Sequence, residues 1–292
     1  MVSTRYFQIA GITIRVTADL PITSATFDEQ FLPFQVMQPG EEIVTVHHHF
    51  GLPTPMQVPD EHVVYRETPW TIAHTNDGWV YEGRYAGKAG ERPFMHAMWT
   101  EDHSRGHLYH ADNVRFLRGG LRALTLMPTD QVLLGQLLAN RQGCLVHAAG
   151  MSLWGKGVLF IGHSDAGKST TVTMLREHGE ILCDDRIAVR QMADGYHISG
   201  TWCHGTVADI SPATAPLRAL YFIEQAQTNA AIPLTNRREL LARLLPCLIR
   251  PLATADWWTK TLTCVEGMLR DVPAYRLLLD RSGSIAEVLR AL

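Results

Sequence analysis

The sequence predicts two domains of different class: a mostly β half over residues 1–127 and an α/β half over residues 128–292. The first half holds short β-branched runs between turn signals and no helical period of useful length. The second alternates apolar strand-like runs with helical periods, and one strand passes into a helix through a glycine loop. A length of 292 residues suits two domains of about 100–200 residues each.

In the first half, residues 7–16 carry β-branched side chains, and residues 42–50 alternate and stop at Gly51. Residues 63–65, 70–74 and 78–85 are further short strands, punctuated by the turn Asn76-Asp77-Gly78. The run His47-His48-His49 invites a metal reading. In a strand, His47 and His49 face one side and His48 the other. No second group of ligands is evident along the sequence, so the run is expected to be structural.

In the second half, Thr129 can cap a helix reaching to about Arg141, with Val132, Leu133, Leu137 and Leu138 on one face. Residues 156–161 form a short apolar strand, followed at once by the glycine loop and by a helix to about His178. Residues 180–183 are a strand ending in Asp184-Asp185, and a hairpin then turns at Ala193-Asp194-Gly195. Further strands are expected at 217–223 and 274–279, and helices at 237–248, 255–269 and 284–292. Strands alternating with helices predict a layered α/β structure. No internal repeat or low-complexity tract is visible.

Composition narrows the partners. Lys and Arg (26) nearly balance Asp and Glu (29), with a formal charge of −3 and no basic block, so nucleic acid is not an expected partner. The five cysteines, Cys144, Cys183, Cys203, Cys247 and Cys264, are odd in number and form no CxxC pair. They read as small buried residues, which suits a reducing cytoplasm better than secretion. The first seven residues are not of signal-peptide type, and no apolar run reaches the roughly 18 residues of a membrane span. A soluble, cytoplasmic protein with no membrane partner is expected.

The stretch Gly162-His163-Ser164-Asp165-Ala166-Gly167-Lys168-Ser169, continuing into Thr170, matches the pattern G-x-x-x-x-G-K-S. Glycines let backbone N–H groups turn inward around phosphate oxygens, and the next helix points its positive end at the same charge. Lys168 suits the β- and γ-phosphates of ATP, and the Ser169 hydroxyl suits Mg2+. The preceding strand and following helix are the context such a loop needs. Asp165 is unusual there: either it faces outward, tolerating left-handed backbone angles, or it serves the metal or an acceptor.

Asp184-Asp185 ends the next strand. In a parallel sheet this brings the pair to the edge where the glycine loop lies. One carboxylate can hold Mg2+ and the other can take a proton from an acceptor hydroxyl as a phosphoryl group moves. Spacing alone leaves the two roles interchangeable. His147, after an apolar run, reads by itself as a core histidine. Arg237, Arg238, Arg250 and Lys260 are candidate cations for the transferred group, or ordinary solvated residues of a helix face.

Residues 144–189 resemble the C-terminal catalytic domain of HPr serine kinase/phosphorylase, which is related to ATP-dependent phosphoenolpyruvate carboxykinase. The resemblance rests on His147 ahead of a hairpin, GVLFIGHSDAGKS, His178-Gly179 and ILCDDRIAV, and extends more weakly through residues 216–224. It covers about half the chain and implies an α/β P-loop domain of the HPr kinase/PEP carboxykinase type, preceded by the mostly β domain. It further implies His147 near the phosphates, Lys168 on phosphate, Ser169 on Mg2+, and Asp185 as acid/base with Asp184 beside it at the metal. The family's catalytic domains are often multimeric, which implies a homo-oligomer. The family also carries a Glu-containing signature ending in Arg-Gly after the hairpin. Here the stretch is Gly200-Thr201-Trp202-Cys203-His204-Gly205, without that Glu, which limits what carries over about metal binding there and the reverse phosphorylase reaction. The N-terminal half is unlike the usual HPr-kinase N-domain. The layout is more similar to HPr-kinase-related proteins found beside peptide-modification genes, including lasso-peptide tailoring kinases that phosphorylate a precursor serine.

The expected function is therefore ATP- and Mg-dependent phosphoryl transfer to a hydroxyl, a serine of a peptide or small protein. Asp185, His147, Lys168 and Arg250 are the expected catalytic groups. A kinase of a small molecule such as free serine, and a non-catalytic nucleotide-binding module, stay open beside it.

Overall fold

A computed structural model of the chain describes residues 4–53, 59–85, 93–127, 130–280 and 284–292. It divides into two compact units, Met1–Asn140 with Pro251–Trp258, and Arg141–Arg250 with Thr259–Leu292.

The first unit contains β1 (Arg5–Ile9), β2 (Ile12–Ala18), β3 (Gln35–Val36), β4 (Glu42–Phe50), β5 (Val63–Glu67), β6 (Trp70–Thr75), β7 (Gly78–Arg84), β8 (Pro93–Trp99) and β9 (Arg105–His110). They form one sheet in the order β3-β1-β2-β4-β9-β8-β7-β6-β5. The three central strands β2, β4 and β9 run parallel, and every other neighbour pair is antiparallel. Two short helices follow, α1 (Val114–Arg118) and α2 (Gln131–Ala139). The Thr129 cap expected for α2 lies outside the described residues.

The stretch 7–16, expected as one run, is a hairpin. Ala10 (φ 50°) and Gly11 (φ 78°) make its two-residue turn, the backbone a tight hairpin needs. Both arms are equally β-branched, so composition hides the reversal. β8 and β9 went unread because their Met, His and Ala content carries little strand signal. Phe7, Phe31 and Phe34 pack in the core of this unit, each at most 1% exposed. Burial of such side chains stabilises by roughly 1.5–3 kcal/mol apiece.

The second unit contains β10 (Gly143–Leu153), β11 (Lys156–Ile161), α3 (Lys168–Met174), β12 (Gly179–Cys183), β13 (Arg186–Met192), β14 (Gly195–Ser199), β15 (Thr214–Gln225), β16 (Ala230–Pro233), α4 (Arg237–Leu244), α5 (Ala255–Asp271, of which residues 259–271 belong here), β17 (Ala274–Leu279) and α6 (Ile285–Arg290). The helix after the loop is shorter than expected: α3 stops at Met174, and a 3-10 turn at Arg176–His178 completes the passage.

The sheet here is mixed rather than parallel. β11, β15 and β17 run parallel, but β10 lies antiparallel between β11 and β12. The pairings β11–β10–β13–β14–β15 return to β11 and close on themselves. Behind the glycine loop, Ala166, Val172 and Leu175 share one buried cluster with Ala149, Phe160 and Tyr221. That packing ties the loop and α3 to β10, β11 and β15. Among the described residues, no helix is long and apolar enough to cross a membrane.

Candidate functional site

The glycine loop leaves the C-terminal end of β11 and enters α3 at Lys168. β12 and β13 run end to end along one edge of β10, and Asp184-Asp185 sits at their junction. β11 lies along the other edge of β10, with Ile161 opposite Ala148. Both β11 and β12 are antiparallel to β10, so their C-terminal ends meet on one side. The loop and the aspartates therefore share an edge, two strand spacings or about 9–10 Å apart in backbone. A parallel sheet was expected to do this; an antiparallel strand between two parallel ones does it instead.

Within the loop, Gly167 has φ +110°, and a Cβ there would come 3.1 Å from Leu279 Cδ2, so only glycine sits there without strain. Asp165 takes φ 65° and its side chain is exposed. Its carbonyl accepts from Gln225 Nε2 at 2.8 Å. His163, Ser164 and Thr170 are exposed, whereas Ala166 and Lys168 are buried. Lys168 Nζ donates to the carbonyls of Gly162 (2.9 Å) and His163 (3.0 Å). Burial pushes its pKa down, while Cys247, Asp185, Asp184 and Asp165 pull it back up. A bound anion would act in the same sense as those groups and favour the ammonium.

Ser169 Oγ donates to Asp184 Oδ2 at 3.0 Å. Asp184 is 3% exposed, and its carboxylate also accepts from the backbone N–H groups of Gly205 and Val207, the latter at 2.8 Å. The stretch that lacks the signature Glu thus serves the site through its backbone. Two adjacent ligands of octahedral Mg2+, with bonds of 2.0–2.1 Å, lie about 2.9 Å apart. The 3.0 Å separation of Ser169 Oγ and Asp184 Oδ2 fits that edge, and an all-oxygen donor set suits a hard cation.

Asp185 has different partners. His147 Nδ1 lies 3.1 Å from both Asp185 Oδ1 and its backbone carbonyl. Arg186 lies 3.4 Å from Oδ2. The His147 hydrogen bond above all, then Arg186 and Lys168, hold the Asp185 carboxyl below the usual range against the opposing effect of burial. The two aspartates, interchangeable by spacing, are thus distinguished: Asp184 is pinned and faces the Ser169 hydroxyl, while Asp185 is 18% exposed and oriented by His147.

Of the candidate cations, Arg250 is exposed, with no ion pair among the described residues. The antiparallel bridge Val146–Leu248 runs its segment toward Cys144, away from His147. Arg237 pairs with Glu266 at 3.2 Å. Arg186 and Cys247 were missed. Arg186 could have been read, as it directly follows the Asp pair. Burial raises the pKa of the Cys247 thiol, against the opposing pull of the nearby Lys168 charge and of a hydrogen bond from the Gly162 backbone. Nothing in the sequence announces that contact.

Residues 123–291, more than half of the chain, match a protein-family model described as SynChlorMet cassette protein ScmC. No curated protein matches the chain.

Proposed function

This chain belongs to the ScmC family of SynChlorMet cassette proteins, and we propose that it is a kinase moving the γ-phosphoryl group of ATP to a hydroxyl, a serine of a peptide or small protein. The observation that carries this is the division of labour in the Asp pair. Asp184 meets the loop hydroxyl of Ser169, while Asp185 is separately aimed by His147. A site that only bound nucleotide would have little use for the second carboxylate.

In the proposed reaction the loop N–H groups and Lys168 hold the β- and γ-phosphates. Mg2+ on Ser169 and Asp184 would neutralise developing phosphate charge. The acceptor hydroxyl donates its hydrogen bond to Asp185. The bond from acceptor oxygen to γ-phosphorus forms as the bond to the bridging oxygen of ADP breaks, and the proton passes to Asp185. A carboxylate held at low pKa is a weak base, but in a loose transition state the hydroxyl sheds its proton late, so orientation matters more than basicity. His147 supplies that orientation. No placement in the structure favours Arg250 in this chemistry.

The chain is proposed to work in the cytoplasm as a homo-oligomer, away from membranes and nucleic acid. Five free cysteines suit that compartment. A family described as a cassette protein favours an acceptor made alongside the enzyme over a general metabolite. The test is the full chain with γ-labelled ATP, Mg2+ and three acceptors: a peptide encoded beside it, free serine, and none. Label on a peptide serine is expected. Asp185→Asn should lower kcat about 10²–10⁴-fold with ATP affinity kept, and Lys168→Ala should lose ATP binding. Full transfer by either variant would overturn the assignment. ATP binding without label on any acceptor would make the chain a nucleotide-binding module.

A further inference from the structure

We propose that the first unit carries a binding site for a divalent transition-metal ion of the zinc type, with Asp19, His47 and His49 as ligands. The alternation in β4 puts His47 and His49 on one face, and the chain just past β2 brings Asp19 to them. The Asp19 N–H donates to the His48 carbonyl at 3.0 Å, which fixes that backbone. Asp19 Oδ1 lies 2.9 Å from His47 Nε2, and Oδ2 lies 3.1 Å from His49 Nδ1. All three ligand atoms lie within 4.8 Å of one another.

The separations suit a metal. With Zn–N and Zn–O bonds of about 2.0–2.2 Å, neighbouring ligand atoms of a tetrahedral site lie roughly 3.3–3.5 Å apart. The 2.9 and 3.1 Å contacts to Asp19 are a few tenths of an ångström short of that, and the imidazoles, with side-chain exposures of 22% and 26%, have room to adjust. His47 Nε2 and His49 Nδ1 already point at the carboxylate, and a metal bound there would leave each neutral ring its N–H on the remote nitrogen.

The remote nitrogens are also engaged, as metal-binding histidines require. His47 Nδ1 lies 2.7 Å from the Thr17 hydroxyl, and His49 Nε2 lies 3.1 Å from His107 Nδ1. Strand register explains both: Thr17, His47 and His107 are aligned across β2, β4 and β9, and His49, opposite Tyr109, meets His107 on the diagonal. The His49 ring stacks on Tyr109, centroids 4.5 Å apart, which holds its rotamer. His48 faces the other way. It is fully buried, shares a 2.9 Å hydrogen bond with His110, and donates to the Leu124 carbonyl at 2.8 Å. Two imidazoles and one carboxylate suit zinc, iron, cobalt or nickel rather than Mg2+ or Ca2+. Three protein ligands on an open face leave a fourth position for water or substrate.

The test uses the full chain, freed of any affinity tag and stripped with chelator, titrated with Zn2+ by calorimetry. One equivalent of zinc is expected to bind, and whatever heat Mg2+ gives should be the same in the unsubstituted chain and in His49→Gln. His49→Gln and Asp19→Asn should each weaken zinc at least about 100-fold. His107→Ala, one shell out, should weaken it about 10–100-fold. Lys168→Ala, in the other unit, should bind zinc as the unsubstituted chain does. Absence of a stoichiometric site, or equal binding by His49→Gln, would overturn the proposal. X-ray absorption of the unsubstituted zinc-loaded chain keeps the test open should variants unfold. A shell of nitrogen and oxygen supports the assignment, and sulfur in the shell refutes it.

Discussion

Replacing Asp184 by Asn isolates what a buried carboxylate does beyond any chemistry. The side chain is 3% exposed and accepts from Gly205 N–H, Val207 N–H and Ser169 Oγ. Asn keeps one acceptor oxygen and turns a donor toward a backbone donor, so one N–H, that of buried Val207 or of exposed Gly205, loses its partner. An orphaned buried donor costs about 1–3 kcal/mol. For a unit of roughly 150 residues, each kcal/mol moves the Tm by about 2–4 °C, so a fall of about 2–12 °C is expected. Asp184→Ala strips both backbone donors and should cost at least about 1–3 kcal/mol, the cost of the buried Val207 N–H alone. Asp185→Asn is the control. Its partners are the side chains of His147 and Arg186, and Asn still accepts from His147. Its cost should stay at or below about 1 kcal/mol, as for a solvent-reachable ion pair. Calorimetric melts of the three variants beside the unsubstituted chain decide. Asp184→Asn melting within a degree of the unsubstituted chain, or Asp185→Asn costing more, would refute the separation of roles.

Two further outcomes follow from named contacts. The carboxyl of Asp185 titrates below its ordinary value chiefly because of His147. A depressed folded-state pKa adds stability that is present above the unfolded value of about 3.9 and is lost as pH falls through the folded one. His147→Ala should therefore destabilise more at pH 7 than at pH 3, as measured by urea unfolding at both; an equal or larger effect at pH 3 would contradict the assigned cause. Gly78, at the β6–β7 turn, has φ +117°, and a Cβ there would fall 2.2 Å from the Trp99 carbonyl oxygen. Gly78→Ala should cost about 2–6 kcal/mol from backbone strain and overpacking together; a thermal melt unchanged by the substitution would show that the turn can rearrange.

The sequence by itself determined the local events. A strand running into a glycine loop and then a helix is encoded within about twenty residues of side-chain pattern, and the structure has β11, the loop and α3 there. The turn at Asn76-Asp77-Gly78 and the strand Ala274–Leu279 are local in the same sense. Where local signal is weak, at the hairpin turn Ala10-Gly11 and in β8 and β9, the structure is not legible in the sequence. Only the tertiary structure decided which distant groups meet. It distinguished Asp184 from Asp185 by bringing Ser169, Gly205 and Val207 to one and His147 to the other. It brought Cys247 within electrostatic reach of Lys168 and gave Arg250 no ion pair among the described residues. It also placed Asp19 and His107 beside His47 and His49, which made a ligand group from a histidine run that had no second cluster near it in sequence. The physical reason is that backbone N–H groups carry no residue identity, and strand pairing aligns residues by register rather than by sequence distance.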